Sequence, residues 1–211
     1  THTTANGGRS LGCGYYASAD GYFGAAFGDY AAASGRYSTA LGAKAKASQY
    51  RSTAVGAKAV ANQNSTTALG YKASAAGSYS TALGEYASAT GFGGVAVAGS
   101  ARGDLSVAID GSTFNAYDTA VGADSKASGK RSTAFGYKSN AYQTRSLALG
   151  AATFANATGS IAIGYLAVAG ISGGSTGTQA FALGSHSYAS ANNSTALGGA
   201  IDLNGDGQSE D

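Results

Sequence analysis

The strongest constraint on the fold is a short motif that returns at a nearly constant spacing. The pentapeptide Ser-Thr-Ala-Leu-Gly spans Ser38 to Gly42 and Ser80 to Gly84, and close variants occur along the chain. Taking the last residue of each motif as the frame position gives the series Gly14, Gly28, Gly42, Gly56, Gly70, Gly84, Ala98, Asp110, Gly122, Gly136, Gly150, Gly164, Gly184 and Gly198. Such internal periodicity indicates a repeat architecture in which each period is one structural unit.

The spacing between frame positions is 14 residues for most of the chain. It falls to 12 on either side of Asp110, and it is 20 between Gly164 and Gly184, because of an insertion around Ile171 to Thr176. Each period contains two short segments of alternating residues separated by Gly-, Ser-, Asn- or Gln-rich turns. This period-2 pattern predicts strands rather than helices.

The residue two before the frame position is almost always Ala, and alanines also recur three and five residues after it, as at Ala45 and Ala47. Charged and phenolic side chains such as Lys44 and Lys46 lie beside these second alanines, in what the alternation predicts to be the second strand, and must reach water. Matching Ala to Ala across the two strands predicts a roll too thin for any large interior side chain.

The residue directly before the frame position is always apolar, and the thin roll leaves it outside. These residues form a predicted apolar column: Phe27, Leu41, Val55, Leu69, Leu83, Val97, Ile109, Val121, Phe135, Leu149, Ile163, Leu183 and Leu197. An apolar surface of this extent is not left in contact with water. We therefore expect a homo-oligomer with cyclic symmetry that buries the column, and the pattern alone does not choose between two and three subunits.

The Ser-x-Ala-(Leu/Val/Ile)-Gly strand, followed by x-x-(Ala/Ser)-x-Ala at a 14-residue period, resembles the YadA-like head of trimeric autotransporter adhesins, over about residues 10 to 198. The resemblance implies an all-β fold, a left-handed parallel β-roll of about 14-residue coils assembled as a homotrimer. It implies an extracellular position on the bacterial surface, with anchoring in the outer membrane through parts absent from this chain. It also implies binding to host extracellular-matrix or cell-surface protein.

The resulting organisation is an N-terminal flank at residues 1–9, the roll at 10–199 and an acidic segment at 200–211. The net charge of +2 is spread over scattered Lys and Arg, which predicts no nucleic-acid partner. The two histidines, His2 and His186, have no evident catalytic or metal-binding partners, so we expect no enzymatic activity and no cofactor for the roll.

Two local features point to ligands. Aromatic and basic residues, the types most used in protein recognition, recur at turns, and they form a candidate ligand-binding surface: Tyr37, Tyr50, Arg51, Tyr79, Arg131 and Arg145. The same residues could instead stack coil upon coil. Near the C-terminus, oxygen ligands at alternate positions resemble a calcium loop, with Asp202, Asn204, Asp206 and Glu210 as ligands. A solvated linker explains that segment equally well.

Two other readings of the repeat remain open. A trimeric phage tail fibre or surface filament could use the same roll as a structural shaft. A monomeric ice-binding solenoid would instead turn Leu and Thr inward and the Ala/Ser face outward. The oligomeric state separates the second alternative from the others, and binding to matrix proteins separates the first.

Overall fold

The structure, a computed structural model, describes residues 2–170 and 179–198. Short strands joined by turns make up this part of the chain, and none of its residues is helical. The insertion around Ile171 to Thr176 and the proposed calcium ligands Asp202, Asn204, Asp206 and Glu210 lie outside the described residues.

The chain divides into two compact units, Thr1–Ala108 and Ile109–Asp211. Unit 1 contains β1 (Leu11–Cys13), β2 (Ser18–Ala19), β3 (Ala25–Phe27), β4 (Ala32–Ala33), β5 (Thr39–Leu41), β6 (Lys46–Ala47), β7 (Thr53–Val55), β8 (Val60–Ala61), β9 (Thr67–Leu69), β10 (Ser74–Ala75), β11 (Thr81–Leu83), β12 (Ser88–Ala89), β13 (Val95–Val97) and β14 (Ser100–Ala101). The short strand β15 (Val107–Ile109) includes the boundary between the units. Unit 2 contains β16 (Ser112–Thr113), β17 (Thr119–Val121), β18 (Lys126–Ala127), β19 (Thr133–Phe135), β20 (Asn140–Ala141), β21 (Leu147–Leu149), β22 (Phe154–Ala155), β23 (Ile161–Ile163), β24 (Val168–Ala169), β25 (Phe181–Leu183), β26 (Tyr188–Ala189) and β27 (Thr195–Leu197).

Each unit is a parallel β-solenoid. Within a unit the odd-numbered, three-residue strands form one parallel sheet, sheet 1, and the even-numbered, two-residue strands form a second parallel sheet, sheet 2. Each strand pairs in register with the strand one coil later, so that Ala54 lies beside Ala68 and Val55 beside Leu69. The predicted all-β solenoid with about 14 residues per coil is confirmed.

The interior of both solenoids is made of alanine, as predicted. Ala40 and Ala54 of sheet 1 and Ala47 and Ala61 of sheet 2 are all 0% exposed. Many of the buried hydroxyls beside them bond locally, as where Ser52 Oγ donates to Gln49 O at 2.7 Å, whereas Ser38 Oγ and Ser125 Oγ are buried without a hydrogen-bond partner. Among the described residues the largest fully buried side chains are those of threonines and Asp118, so the two sheets of a unit lie close together and the bulky residues face outward.

The frame glycines are required by both conformation and space. Gly42 and Gly56 have φ values of 128° and 123°, which L residues rarely adopt, and a Cβ on Gly42 would lie 2.7 Å from Gly56 C in the next coil. At Ala98 and Asp110 the φ values are 51° and 54°, in the left-handed helical region, which residues with a Cβ can adopt more readily than the φ of 128° at Gly42. At Ala98 the turn between β13 and β14 has shortened to two residues, so the special glycine conformation is no longer needed.

One part of the predicted strand pattern is wrong. Lys44 was expected within the second strand, but it lies in the preceding turn with a φ of 59°, and Lys58 and His186 occupy the same turn position in their coils with φ of 59° and 58°. This left-handed conformation interrupts an extended strand, which therefore begins two residues later. Backbone hydrogen bonds between adjacent coils hold the turn in place, as from Lys44 N to Asp29 O at 2.7 Å and from Lys58 N to Ala43 O at 2.8 Å.

Candidate interaction surfaces

The predicted apolar column follows the outer face of sheet 1 in each unit. Its members are the third residues of successive three-residue strands, so in-register pairing places Leu41 beside Val55 and Leu69 beside Leu83. Leu41 and Leu69 are each 47% exposed and Phe135 is 51% exposed. Ile109, Leu149, Leu183 and Leu197 are also exposed, whereas Phe27, Val55, Leu83, Val97, Val121 and Ile163 are half-buried.

The first residue of each of these strands lies on the same outer face. In unit 1 this second row consists largely of half-buried threonines, including Thr39, Thr53 and Thr67. A hydroxyl-bearing row therefore lies beside an apolar row on this face. A single chain leaves both rows partly exposed, so another protein surface that packs on sheet 1 would remove apolar area from water.

The predicted ligand-binding residues lie in the turns that lead from sheet 2 back to sheet 1. In unit 1 three of them, Tyr37, Tyr50 and Arg51, form a continuous cluster with three neighbouring side chains. We call this cluster the aromatic–arginine ridge: Tyr22, Phe23, Arg36, Tyr37, Tyr50 and Arg51. Tyr37 stacks on Phe23 with ring centroids 5.3 Å apart and an interplanar angle of 11°. The guanidinium carbons of Arg36 and Arg51 lie 4.9 Å from the ring centroids of Tyr37 and Tyr50, respectively.

The other predicted ligand-binding residues are not part of this ridge. Tyr79 of unit 1 is 61% exposed and contacts Phe92 edge-on, with 5.3 Å between ring centroids. Arg131 and Arg145 belong to unit 2; Arg131 lies over the Tyr117 ring at 5.6 Å, and Arg145 is exposed. Stacking along the coils therefore occurs, and it leaves the ring edges and guanidinium groups accessible to a partner.

A second set of aromatic and basic side chains occupies the turns that lead from sheet 1 to sheet 2. Tyr16 and Tyr30 stack at 5.3 Å, and Lys72 Nζ lies 5.1 Å and 4.9 Å from the ring centroids of Tyr71 and Tyr86. Hydrogen bonding to Tyr86, followed by Tyr71, raises the pKa of Lys72. This lysine therefore remains cationic at any physiological pH.

One buried charge was missed by the sequence analysis. Asp118 replaces the Ser or Thr that most other coils place four residues before the frame position, and it is 0% exposed. Its carboxylate accepts hydrogen bonds from Asn115 N at 2.8 Å, Ser132 N at 3.0 Å and Ser132 Oγ at 3.1 Å. Burial nevertheless raises the pKa of Asp118 above its ordinary value. Alignment of the coils by the frame position would have revealed this substitution.

The described residues offer little for catalysis or metal binding. His186 Nδ1 lies 2.9 Å from Ser185 Oγ, and its exposed ring contacts Tyr165 edge-on. In the part of the chain that the structure describes, no three His, Cys, Asp or Glu side chains group as they would around a metal ion. The same part contains no helix long and apolar enough to cross a membrane.

Comparison with known families identifies the repeat. The family model described as YadA head domain repeat (2 copies) matches residues 33–59, 61–87, 116–139, 141–167 and 175–200, more than half of the chain. A comparison with curated proteins gives no match. The matched segments cover coils in both units, including most of the apolar column and part of the aromatic–arginine ridge.

Proposed function

Because the chain belongs to the YadA head domain repeat family, we propose that it is the non-enzymatic head of a trimeric autotransporter adhesin on the bacterial surface. In this proposal three copies assemble around one axis as a left-handed roll, and other parts of the adhesin anchor them in the outer membrane. The aromatic–arginine ridge, Tyr79, Arg131 and Arg145 then contact a host extracellular-matrix or cell-surface protein.

The observation that carries the trimer is the exposed apolar column of sheet 1. A side chain such as Leu41 or Leu69 is 47% exposed, so covering it by assembly would contribute at most about 0.7 to 1.4 kcal/mol. The row of threonines beside the column keeps the apolar strip narrow, which suits three chains meeting at an axis. Sheet 2 and the turns stay on the outside of such an assembly and repeat in three copies, so weak single contacts gain avidity.

The first test is the mass of the assembly in solution. Light scattering on the unfused chain should give three times its mass of 20.5 kDa, and a fusion to a trimeric coiled coil should give three times the mass of the fusion. The double substitution L69D/L83D places two carboxylates on neighbouring coils of the column and should prevent assembly. The matched control S74D/S88D places two carboxylates on neighbouring coils of sheet 2 and should leave the trimer intact.

Either of two results would overturn the trimer. L69D/L83D chains that still sediment as trimers would show that the column does not hold the subunits together. A wild-type chain that is a stable, folded monomer at high concentration would leave the column without the partner proposed here. The ice-binding alternative with Leu and Thr turned inward is wrong in any case, because Ala40 and Ala54 are fully buried and Leu41 is exposed.

Adhesion is tested separately on the trimer. Immobilised matrix proteins should capture the wild-type chain, and Y37A/R51A should weaken capture without changing the mass of the assembly. These two residues are exposed members of the ridge, so their truncation removes contact area and charge but no interior packing. A trimer that binds no matrix or cell-surface protein would support the structural-shaft alternative instead.

A further inference from the structure

Unit 2 carries a cleft on the outer face of sheet 2. The cleft has a volume of about 360 Å³ and is lined by Asp124, Lys126, Lys138, Asn140, Tyr142 and Phe154. Ala152 also lines it, at the turn position that Lys138 occupies one coil earlier. The alanine side chain is small, and it leaves room beside Phe154.

Three consecutive strands give this cleft its chemistry. The first residues of β18, β20 and β22 are Lys126, Asn140 and Phe154, and in-register pairing places them side by side. The corresponding residues in unit 1 are mostly small, as in Ser74 and Ser88. A cationic, an amide and an aromatic side chain therefore lie on three adjacent strands of the same outer face.

The cleft combines two cations with one anion. Lys126, Lys138 and Asp124 are all exposed. Hydrogen bonding to Tyr137, and to a smaller extent the charge of Asp124, raises the pKa of Lys138, so this side chain remains protonated. Asn140 is 6% exposed, and its Nδ2 donates to Lys138 O at 2.7 Å, which fixes the amide within the cleft wall. The excess positive charge favours an anionic ligand.

The shape of the cleft favours a small ligand with one apolar face. Its volume lies at the lower end of the range for small-molecule sites, about 300 to 1,000 Å³. Tyr142 and Phe154 provide aromatic surface, whereas Asp124 and Asn140 provide polar groups. An extended peptide could not pair with the backbone here, because β20 is already paired on one side with β18 and on the other with β22.

We propose that this cleft binds an acidic sugar unit of a glycan, a uronic or sialic acid. The sugar carboxylate is placed at Lys126 and Lys138, the C–H face of the ring packs against Phe154 and Tyr142, and ring hydroxyls donate to Asp124. Charge-assisted hydrogen bonds and packing on aromatic rings together provide the affinity. This inference goes beyond the adhesive head, since it needs only an accessible sheet 2 in unit 2.

Binding is measured on the full chain by isothermal titration calorimetry and saturation-transfer NMR. The probes are the methyl glycosides of glucuronic acid and N-acetylneuraminic acid, with methyl glucoside as the uncharged control. At least one acidic probe should bind about tenfold or more tightly than the neutral control, because only the acid can form charge-assisted hydrogen bonds with the lysines.

Matched variants locate the binding site. K126Q or K138Q should each weaken binding of the acidic probe about tenfold, because each removes one charge-assisted contact. F154V should also weaken it, and the fold accepts valine there, since Val168 occupies the adjacent position one coil later. K46Q removes the lysine at the corresponding sheet 2 position of unit 1 and should leave binding unchanged. Thermal melts of each variant serve as the control for folding.

Three results would overturn the inference: no binding of either acid, equal binding of acidic and neutral sugars, or affinity for an acid that survives K126Q, K138Q and F154V. Equally tight binding of an oligo-glutamate peptide would assign the cleft to acidic peptides instead. Failure of the adhesin proposal would look different, because a monomeric chain could still bind the acidic sugar, and a trimer that binds matrix protein could fail to bind it.

Discussion

Substitutions at the frame positions should lower the free energy of unfolding by amounts that depend on how closely the next coil approaches. In Gly56→Ala the new Cβ would lie 2.5 Å from Gly70 O and 2.7 Å from Gly70 C, at a φ of 123°. The backbone strain costs about 1 to 3 kcal/mol, and displacing the next coil costs about 1 to 3 kcal/mol more. We therefore expect Gly56→Ala to lower the free energy of unfolding by about 2 to 6 kcal/mol.

Substitutions at the frame positions of two other coils serve as controls. In Gly84→Ala the nearest atom to the new Cβ is Ala98 N at 3.2 Å, a tight contact that requires only a small shift, so the strain of a φ of 108° dominates, about 1 to 3 kcal/mol. Ala98→Gly relieves the left-handed alanine at φ 51° but adds backbone entropy to the unfolded chain. We expect its net effect to lie within about 1 kcal/mol of zero.

The assay is urea unfolding followed by circular dichroism, with all chains at one protein concentration because assembly would add to stability. The midpoints should fall in the order Ala98→Gly or wild type, then Gly84→Ala, then Gly56→Ala. If Gly56→Ala unfolds at the wild-type midpoint, the close approach of successive coils does not restrict the frame position, and the reasoning is wrong.

Two further predictions concern charge. Because the pKa of Asp118 is raised in the folded chain, its contribution to stability is fully present below the ordinary value of 3.8 and is lost as the pH rises through the folded value. Asp118→Ser, which introduces the residue that most other coils have at this position, should therefore gain stability over wild type as the pH rises from 4 to 8, measured by urea midpoints. A difference that does not change with pH would contradict this. At the C-terminus we propose calcium binding, so calorimetric titration with CaCl₂ should give heat that D202N/D206N abolishes, whereas absence of heat in the wild type favours the solvated linker.

The periodicity was sufficient to predict the solenoid, and the charged side chains in the second segment then indicated that the alanines face inward. The buried alanines at Ala40 and Ala54 and the outward Leu41 follow from alternation, because adjacent strand residues point to opposite faces. The turn positions were harder to predict. Left-handed turns usually favour Gly, Asn or Asp, so Lys44 and Tyr37 gave no signal that they adopt positive φ.

The cleft could not be predicted along the chain because its residues come from different coils. Lys126, Asn140 and Phe154 are separated by 14 residues each, and none belongs to a recognisable motif. They become neighbours only through in-register pairing. Writing the coils one above another in the frame would have shown three unusual residues in one row, but not the depth that Ala152 allows.

In-register stacking also has a consequence for how such a chain can change over generations. A regular coil inside unit 1 meets only the coils before and after it, and both present nearly the same alanines and frame glycines to it. Deleting or duplicating one 14-residue period therefore recreates junctions like those already present, unlike an insertion in an ordinary hydrophobic core. Recombination between repeated gene segments can thus lengthen or shorten the solenoid by about 4.8 Å per coil while every new sequence remains foldable.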